Sequence, residues 1–240
     1  MGGSMDKTSK DNGSYPELLE IGTNLTLLPV SRDPNLVGYW KFNETSGTNA
    51  YDASGRGNNG TLTNGPTWTT GRAGNALNFD GVDDFVNAGN AASLQVGGSG
   101  KSFTLEGWTK RASSGVYHNI IWQGTATKNN GLHFEYRNTN VFTLDFYGNG
   151  LNTPIAYTDV NEWHHWVGTY DGSTNARKLY RDGILVANDT ATEDYLGSGT
   201  LFIGQRVGGA YYFNGSIDEV RIYNRALSAA EISAIYNATK

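Results

Sequence analysis

Apolar positions along most of this chain recur every second residue, the period at which successive side chains of an extended strand turn to opposite faces. In VFTLDFY (141–147), Phe142, Leu144 and Phe146 fall on one face and Thr143 and Asp145 on the other. Comparable short runs follow one another from residue 36: LVGYWKF (36–42), NALNF (75–79), DFVNA (84–88), SFTLEGW (102–108), HNIIW (118–122) and GLHFEYR (131–137). HHWVGTY (164–170), KLYRDG (178–183), ILVA (184–187), TLFIGQ (200–205) and IDEVRIY (217–223) complete the series. Asp182-Gly183 predicts a two-residue hairpin, because both turn positions need positive φ. Short strands with no helix between them predict antiparallel sheets packed face to face. One helix closes the chain: Ser228, three residues ahead of Glu231, forms a capping box, and Leu227, Ile232 and Ile235 supply an apolar face.

Composition sharpens that picture. The 240 residues leave room for one large all-β domain and a short appendage. Thirty-two Gly and 14 Tyr, against 5 Pro, suit glycine-rich turns joining aromatic strands. The formal net charge is −5 and no basic block occurs, which argues against nucleic acid, whose phosphates need clustered Lys and Arg. With no Cys there is neither a disulfide framework nor a thiolate metal site. No apolar run approaches the ~20 residues of a membrane helix. The opening MGGSM reads as a cloning remnant ahead of an internal start, so a native targeting segment is expected to have been removed.

Residues 1–35 form a separate region, polar and irregular apart from the patch Leu25 to Val30. Asn12-Gly13 and two Pro-containing turns give it the punctuation of a linker. DNGSYPELL (11–19) and LTLLPVSRDP (25–34) also resemble the stretch that follows the N-terminal helix of bacterial type IV pilins and pseudopilins. Gly13, Ser14, Tyr15, Pro16, Pro29, Asp33 and Pro34 carry that resemblance, while the family's leader and long hydrophobic helix are missing. The resemblance implies a pilus-displayed protein with other pilin subunits as partners.

From residue 36 to 240 the motifs YWKFNETSG and DASGRGNNGTL (39–62), GNALNFDGVDDFV (74–86), FTLEGW (103–108), EWHHWVGTYDG (162–172), LYRDGILV (179–186) and IDEVRIYNRALSAAEI (217–232) occur in order. Together they resemble the laminin G-like/concanavalin A-like jelly-roll domains. The resemblance implies an all-β, two-sheet antiparallel jelly-roll sandwich with one short C-terminal helix behind an irregular N-terminal extension. It leaves function open, because this fold hosts lectins, adhesion modules and glycosidases alike.

Glycosidases need two carboxylates facing one cleft. Glu106 and Glu135 each lack a carboxylate two or four residues away, and the adjacent pairs Asp83/Asp84 and Asp218/Glu219 would point to opposite faces of a strand. No Ser/His/Asp constellation stands out, so the reading is non-catalytic. His164 and His165, consecutive on a strand, cannot readily share one ion; one is expected to pack inside and the other to cap a polar edge. Trp163 and Trp166 likewise read as core and rim.

The jelly-roll resemblance implies a structural calcium held by the acidic residue that opens the last strand. Asp218 matches that residue, and Asp80 and Gly81 of the FDG turn, with Asn43, are the expected neighbours. A turn-capping carboxylate bonded to backbone amides is the alternative for Asp218, as it is for Asp52. A ligand would sit at rim loops. FYGNG (146–150) and RVGGAYYFNG (206–215) offer Tyr147, Asn149, Arg206, Tyr211 and Tyr212, rings that stack and polar tips that bond a sugar; covering the sandwich end is their alternative role. The chain thus reads as an extracellular or cell-surface adhesion and display protein, minor-pilin-like, binding surface glycans or proteins. The alternative is a lectin-like carbohydrate-binding module of a larger secreted enzyme or adhesin.

Overall fold

Sixteen strands, one α-helix and a single 3-10 turn at Ala92–Leu94 occur among the described residues, which in this computed structural model are 33–206 and 211–240. Gly13, Ser14, Tyr15, Pro16 and Pro29 of the pilin-like pattern lie outside them. In chain order the strands are β1 (Leu36–Trp40), β2 (Asn49–Ala50), β3 (Gly60–Thr63), β4 (Thr67–Thr70), β5 (Asn75–Asp80), β6 (Phe85–Asn87), β7 (Phe103–Arg111) and β8 (His118–Gly124). They continue as β9 (Gly131–Tyr136), β10 (Phe142–Asp145), β11 (Gly150–Asn152), β12 (His164–Asp171), β13 (Ala176–Arg181), β14 (Ile184–Thr190), β15 (Leu201–Ile203) and β16 (Asn214–Tyr223), before α1 (Ala229–Thr239).

The strands form two eight-stranded antiparallel sheets. The first runs β14-β13-β12-β7-β16-β5-β4 with β1 also paired to β16; the second runs β11-β10-β9-β8-β15-β6-β3-β2. Alternation decides what lies between them. Phe103, Leu105, Trp166, Tyr170 and Ile222 from the first sheet meet Ile121, Phe134, Phe142, Leu144 and Phe146 from the second in one core. The Trp166 and Phe142 rings stack at 3.8 Å. Each such ring withdrawn from water is worth roughly 2–3 kcal/mol.

Local chemistry sets the joints. Asp182 and Gly183 adopt φ of 53° and 77°, and Arg181 pairs with Ile184 across the turn, as the hairpin reading requires. Ser228 accepts the amide of Glu231, whose side chain returns to the Ser228 amide, so the capping box is closed. In β16 the structure departs from simple alternation. A bulge at Glu219, with φ of 54°, resets the parity, so Ile217 and Val220 both reach the core. Asp218 and Glu219 therefore do not oppose one another as strand neighbours would.

Leu227 and Ile232 of the C-terminal segment bury against Val167, Tyr180 and Tyr223, on the side of the first sheet away from the core. No helix among the described residues is long and apolar enough to cross a membrane.

Candidate functional site

The two outer faces of the sandwich carry the polar chemistry. On the second sheet, aromatic residues fall into cross-strand register over neighbouring strands. Phe202 of β15 pairs with Trp122 of β8, Trp122 with His133 of β9, and His133 with Asp145 of β10. Phe85 of β6 extends the row at 5.7 Å from Phe202. Trp122 and His133 meet at 4.5 Å, and Tyr147, just past β10, lies 5.6 Å from His133. At one strand spacing per step the row is on the order of 15–20 Å long.

Rim loops close over it. The Arg206 guanidinium lies over three rings, at 5.3 Å from Trp122, 5.4 Å from Tyr147 and 5.1 Å from Tyr211. Tyr211, 41% exposed, contacts Tyr117 at 4.4 Å. Tyr147 and Tyr211 both hold positive φ, 58° and 64°, a conformation that bulky side chains rarely adopt and that costs on the order of 1–3 kcal/mol. The fold thus maintains strain at the two tyrosines that flank Arg206.

Beneath the rings lies a polar network. Asn119 donates through Nδ2 to Glu135 Oε2 at 3.0 Å, and His133 Nδ1 lies 3.1 Å from Glu135 Oε1. Arg137 donates to Asp145 at 2.5 Å and stands 3.6 Å from Glu135. Burial alone would raise the Glu135 pKa, but His133, Asn119 and Arg137 outweigh it and hold the carboxyl below its ordinary value. A general acid requires the opposite shift. Buried polar atoms of this face without a hydrogen-bond partner among the described residues include the Trp122 indole Nε1, His133 Nε2 and Asn119 Oδ1. His133 Nδ1 faces Glu135, so Nε2 is the ring nitrogen left without a partner among the described residues. An indole N–H, an imidazole nitrogen and an amide oxygen are therefore buried beside the rings without a partner among the described residues.

Of the rim residues singled out in the sequence, Tyr147, Arg206 and Tyr211 converge here. Asn149 does not. Its Nδ2 donates to Asn129 Oδ1 and to the Glu193 carbonyl at 3.2 and 3.1 Å, which commits the side chain to loop packing. Among the described residues no ring contact joins Tyr212 to the cluster. Trp122, His133, Glu135, Asn119 and Tyr117 were not singled out, and Glu135, isolated in the sequence, gains its partners only through strand pairing.

The candidate metal residues divide between two places. Asp218 accepts the amides of Arg72 and Ala73 through Oδ2 at 2.8 and 2.9 Å. Only a glycine fits at 71, where a Cβ would stand 2.6 Å from that oxygen. Oδ1 is buried without a partner, and burial first, then Glu219, lifts the Asp218 pKa to about 7. An orphaned, unneutralised carboxylate oxygen fits one ligand of a hard cation. Asn43 borders the same turn, its Oδ1 accepting the Asn75 amide at 2.7 Å. Asp80 and Gly81 sit at the far end of β5, about 16 Å along the strand, so the four residues do not share one site. There Asp80, Asp83 and Asp84 bring carboxylate oxygens within 4.8 Å of one another, and Asp80 caps its own turn through the Val82 amide at 2.8 Å.

His165 is buried against Trp108 and Tyr236, and His164 bonds Asp182 at 2.8 Å. Asp52 accepts the Ser54 amide at 2.8 Å in an Asx turn.

Solved structures of similar fold include domains of larger proteins. Domain 4 of AbnA, a GH43 extracellular arabinanase from Geobacillus stearothermophilus solved with arabinotriose, is similar with a TM-score of 0.68 and 16% identity, covering 84% of this chain and 98% of that one. The binding domain of Paraclostridial Mosquitocidal Protein 1 is similar at 0.65 and 17%, covering 85% and 52%. The Botulinum neurotoxin serotype D ligand binding domain, solved with N-acetylneuraminic acid, is similar at 0.64 and 16%, covering 85% and 51%. The chain spans about half of either toxin domain. At these identities the likeness is one of fold. Curated protein sequences give no match. A family model does match, over residues 80–233. The chain belongs to the concanavalin A-like lectin/glucanases superfamily.

Proposed function

We propose that this chain is a non-catalytic glycan-binding module of a secreted or cell-surface protein, with its ligand on the outer face of the second sheet. One observation carries the reading: Trp122 Nε1, His133 Nε2 and Asn119 Oδ1 are buried, unpartnered among the described residues and adjacent to a row of rings. Buried polar groups without partners are costly and rare, so a ligand rich in hydroxyls, each both donor and acceptor, supplies what the chain does not. The half-buried rings of the row, Phe85, Phe202 and Tyr147, match the apolar faces of a saccharide chain, and the length of the row suits an oligosaccharide over a single sugar. The neighbours solved with arabinotriose and N-acetylneuraminic acid support the same ligand class. A glycan array tests this. Specific binding that Tyr147→Ala weakens supports the reading; silence across the array turns the search to protein partners.

For the setting, the arabinanase likeness favours an accessory module of a secreted enzyme or adhesin, because this chain covers nearly all of that domain. The pilin-like segment favours display on a pilus; the two differ in what precedes the jelly roll in the native protein.

Calcium is the proposed cofactor, with Asp218 Oδ1 as its protein ligand beside the Gly71–Asn75 turn. It would neutralise a buried carboxylate that otherwise meets only amides and tie β16 to that turn. Melting with calcium and with chelator checks it: calcium raises the midpoint of the native chain and leaves Asp218→Asn unmoved. Equal response of the two chains removes Asp218 from the site.

A further inference from the structure

Several arginine side chains of the sandwich meet carboxylates: Arg137 meets Asp145, Arg177 meets Asp189, Arg181 meets Asp159, and Arg221 meets Glu106. Arg72, over the Trp108 ring on the helix-covered sheet, meets none among the described residues, and on the second sheet neither does Arg206. Among the described residues its guanidinium lies over Trp122, Tyr147 and Tyr211 and takes part in no hydrogen bond or ion pair. A guanidinium held over ring faces keeps its in-plane N–H groups free, and that planar fork matches a carboxylate with two parallel bonds. The carboxylates of the same face do not satisfy it. Glu135 is engaged by Asn119 and His133, and Asp145 by Arg137.

From this, and resting on the glycan reading above, we infer that the ligand is an acidic saccharide whose carboxylate is gripped by Arg206. The three rings fix the guanidinium in place, so little side-chain freedom is lost when the anion arrives. Trp122 Nε1 and His133 Nε2, bordering the same rings, then take hydroxyls of the same or the next sugar. A carboxylate exocyclic to a pyranose provides this combination in one residue: a ring face for Tyr147 or Tyr211, an anion for Arg206, and hydroxyls for the orphaned atoms. Neutral sugars leave the guanidinium unanswered. Two carbohydrate sources carry such a group, the uronic acids and the sialic acids.

Calorimetric titration of the folded protein with trigalacturonate and with sialyl-lactose, each against its neutral counterpart (galactotriose, lactose), separates these sources. At least one acidic ligand is expected to bind about tenfold tighter than its neutral partner, a preference that shrinks as salt is raised. Arg206→Gln should bring the acidic-to-neutral ratio close to one. Arg206→Lys, which keeps the charge and the stem over the rings, should hold it above one and shows that the loss is not misfolding. Equal affinity for acidic and neutral ligands, or a ratio that survives Arg206→Gln, overturns the inference and leaves the glycan reading standing. Binding of neither acidic ligand also overturns it. The glycan reading itself fails only on a silent array.

Discussion

Each sheet carries a tryptophan and a histidine in direct cross-strand register on its outer face: Trp108 with His165 on the first, Trp122 with His133 on the second. Their ring centroids lie 5.2 and 4.5 Å apart. On the first sheet α1 covers the pair. Tyr236 stacks on Trp108 at 5.6 Å, and the Trp108 indole donates to Thr239 Oγ1 at 2.9 Å. On the second sheet Arg206 and the rim tyrosines lie over the pair, and among the described residues the Trp122 indole finds no acceptor. Where the chain folds its own helix onto the face, it supplies the acceptor; on the second sheet, under the function proposed above, the acceptor comes from the ligand. Under that proposal the same motif is structural in one setting and receptive in the other.

The comparison breaks first, and hardest, on the sealed face. There Arg221 donates to the fully buried Glu106 at 2.8 Å and also bonds Glu219 and Tyr39. Arg221→Ala strands two buried carboxylates and should cost ~3–5 kcal/mol, read as a lower denaturant midpoint at unchanged slope. A loss under about 1 kcal/mol would mean the network contributes little.

Acid tests the same face. Burial first, then Arg221, holds the His165 pKa down to about 3, so the folded chain keeps this imidazole neutral. The unfolded chain protonates it near ~6.5. Its contribution is therefore complete above that pH and is lost as pH falls toward 3, at up to ~1.4 kcal/mol per unit. Urea unfolding at pH 7 and pH 4.5 should differ by ~3 kcal/mol from this group. His118, pushed down to about 4 mainly by burial and then by Arg111, adds to the same trend. His165→Phe should flatten part of the slope; an unchanged slope assigns the acid sensitivity elsewhere.

A smaller effect is expected at the helix that makes the seal. Ser228→Ala opens the capping box and should cost ~1 kcal/mol, with glycan affinity untouched because α1 lies on the other sheet. Smallest in stability, and opposite in sign, is Tyr147→Gly on the receptive face. Relief of the left-handed strain should leave the protein as stable or up to ~1 kcal/mol more so, while removal of a stacking ring weakens glycan binding about five- to tenfold. A destabilised Tyr147→Gly would show that the ring serves the fold.

Much of this architecture was legible in the sequence because its causes are local. Period-two alternation marked Phe142, Leu144 and Phe146 as core, Asp182-Gly183 declared its hairpin, and Ser228 with Glu231 declared the cap. Strands β2, β3, β4 and β11 escaped notice because runs such as GTLT and GLN are held by their neighbours and carry little apolar pattern of their own. The site was half legible. Tyr147, Arg206 and Tyr211 stand out as rings and a cation in glycine-rich loops. Trp122, His133 and Glu135 do not, because their grouping depends on the β8–β9 register, which shifts between Asn119 and Ile121 and hides the parity of HNIIW. Asn149 lies apart from Tyr147, Arg206 and Tyr211 because the turn after Tyr147 carries its amide toward Asn129.

The most direct test of the central claim follows the indole N–H signals of Trp108, Trp122 and Trp166 by NMR while a glycan that binds on the array is added. Trp108 and Trp166 already donate, to Thr239 and to Tyr136, whereas Trp122 has no acceptor among the described residues. The Trp122 signal should move with saturation while the other two stay in place. A shift of Trp108 with Trp122 unmoved would put the ligand on the helix-covered sheet and contradict the account.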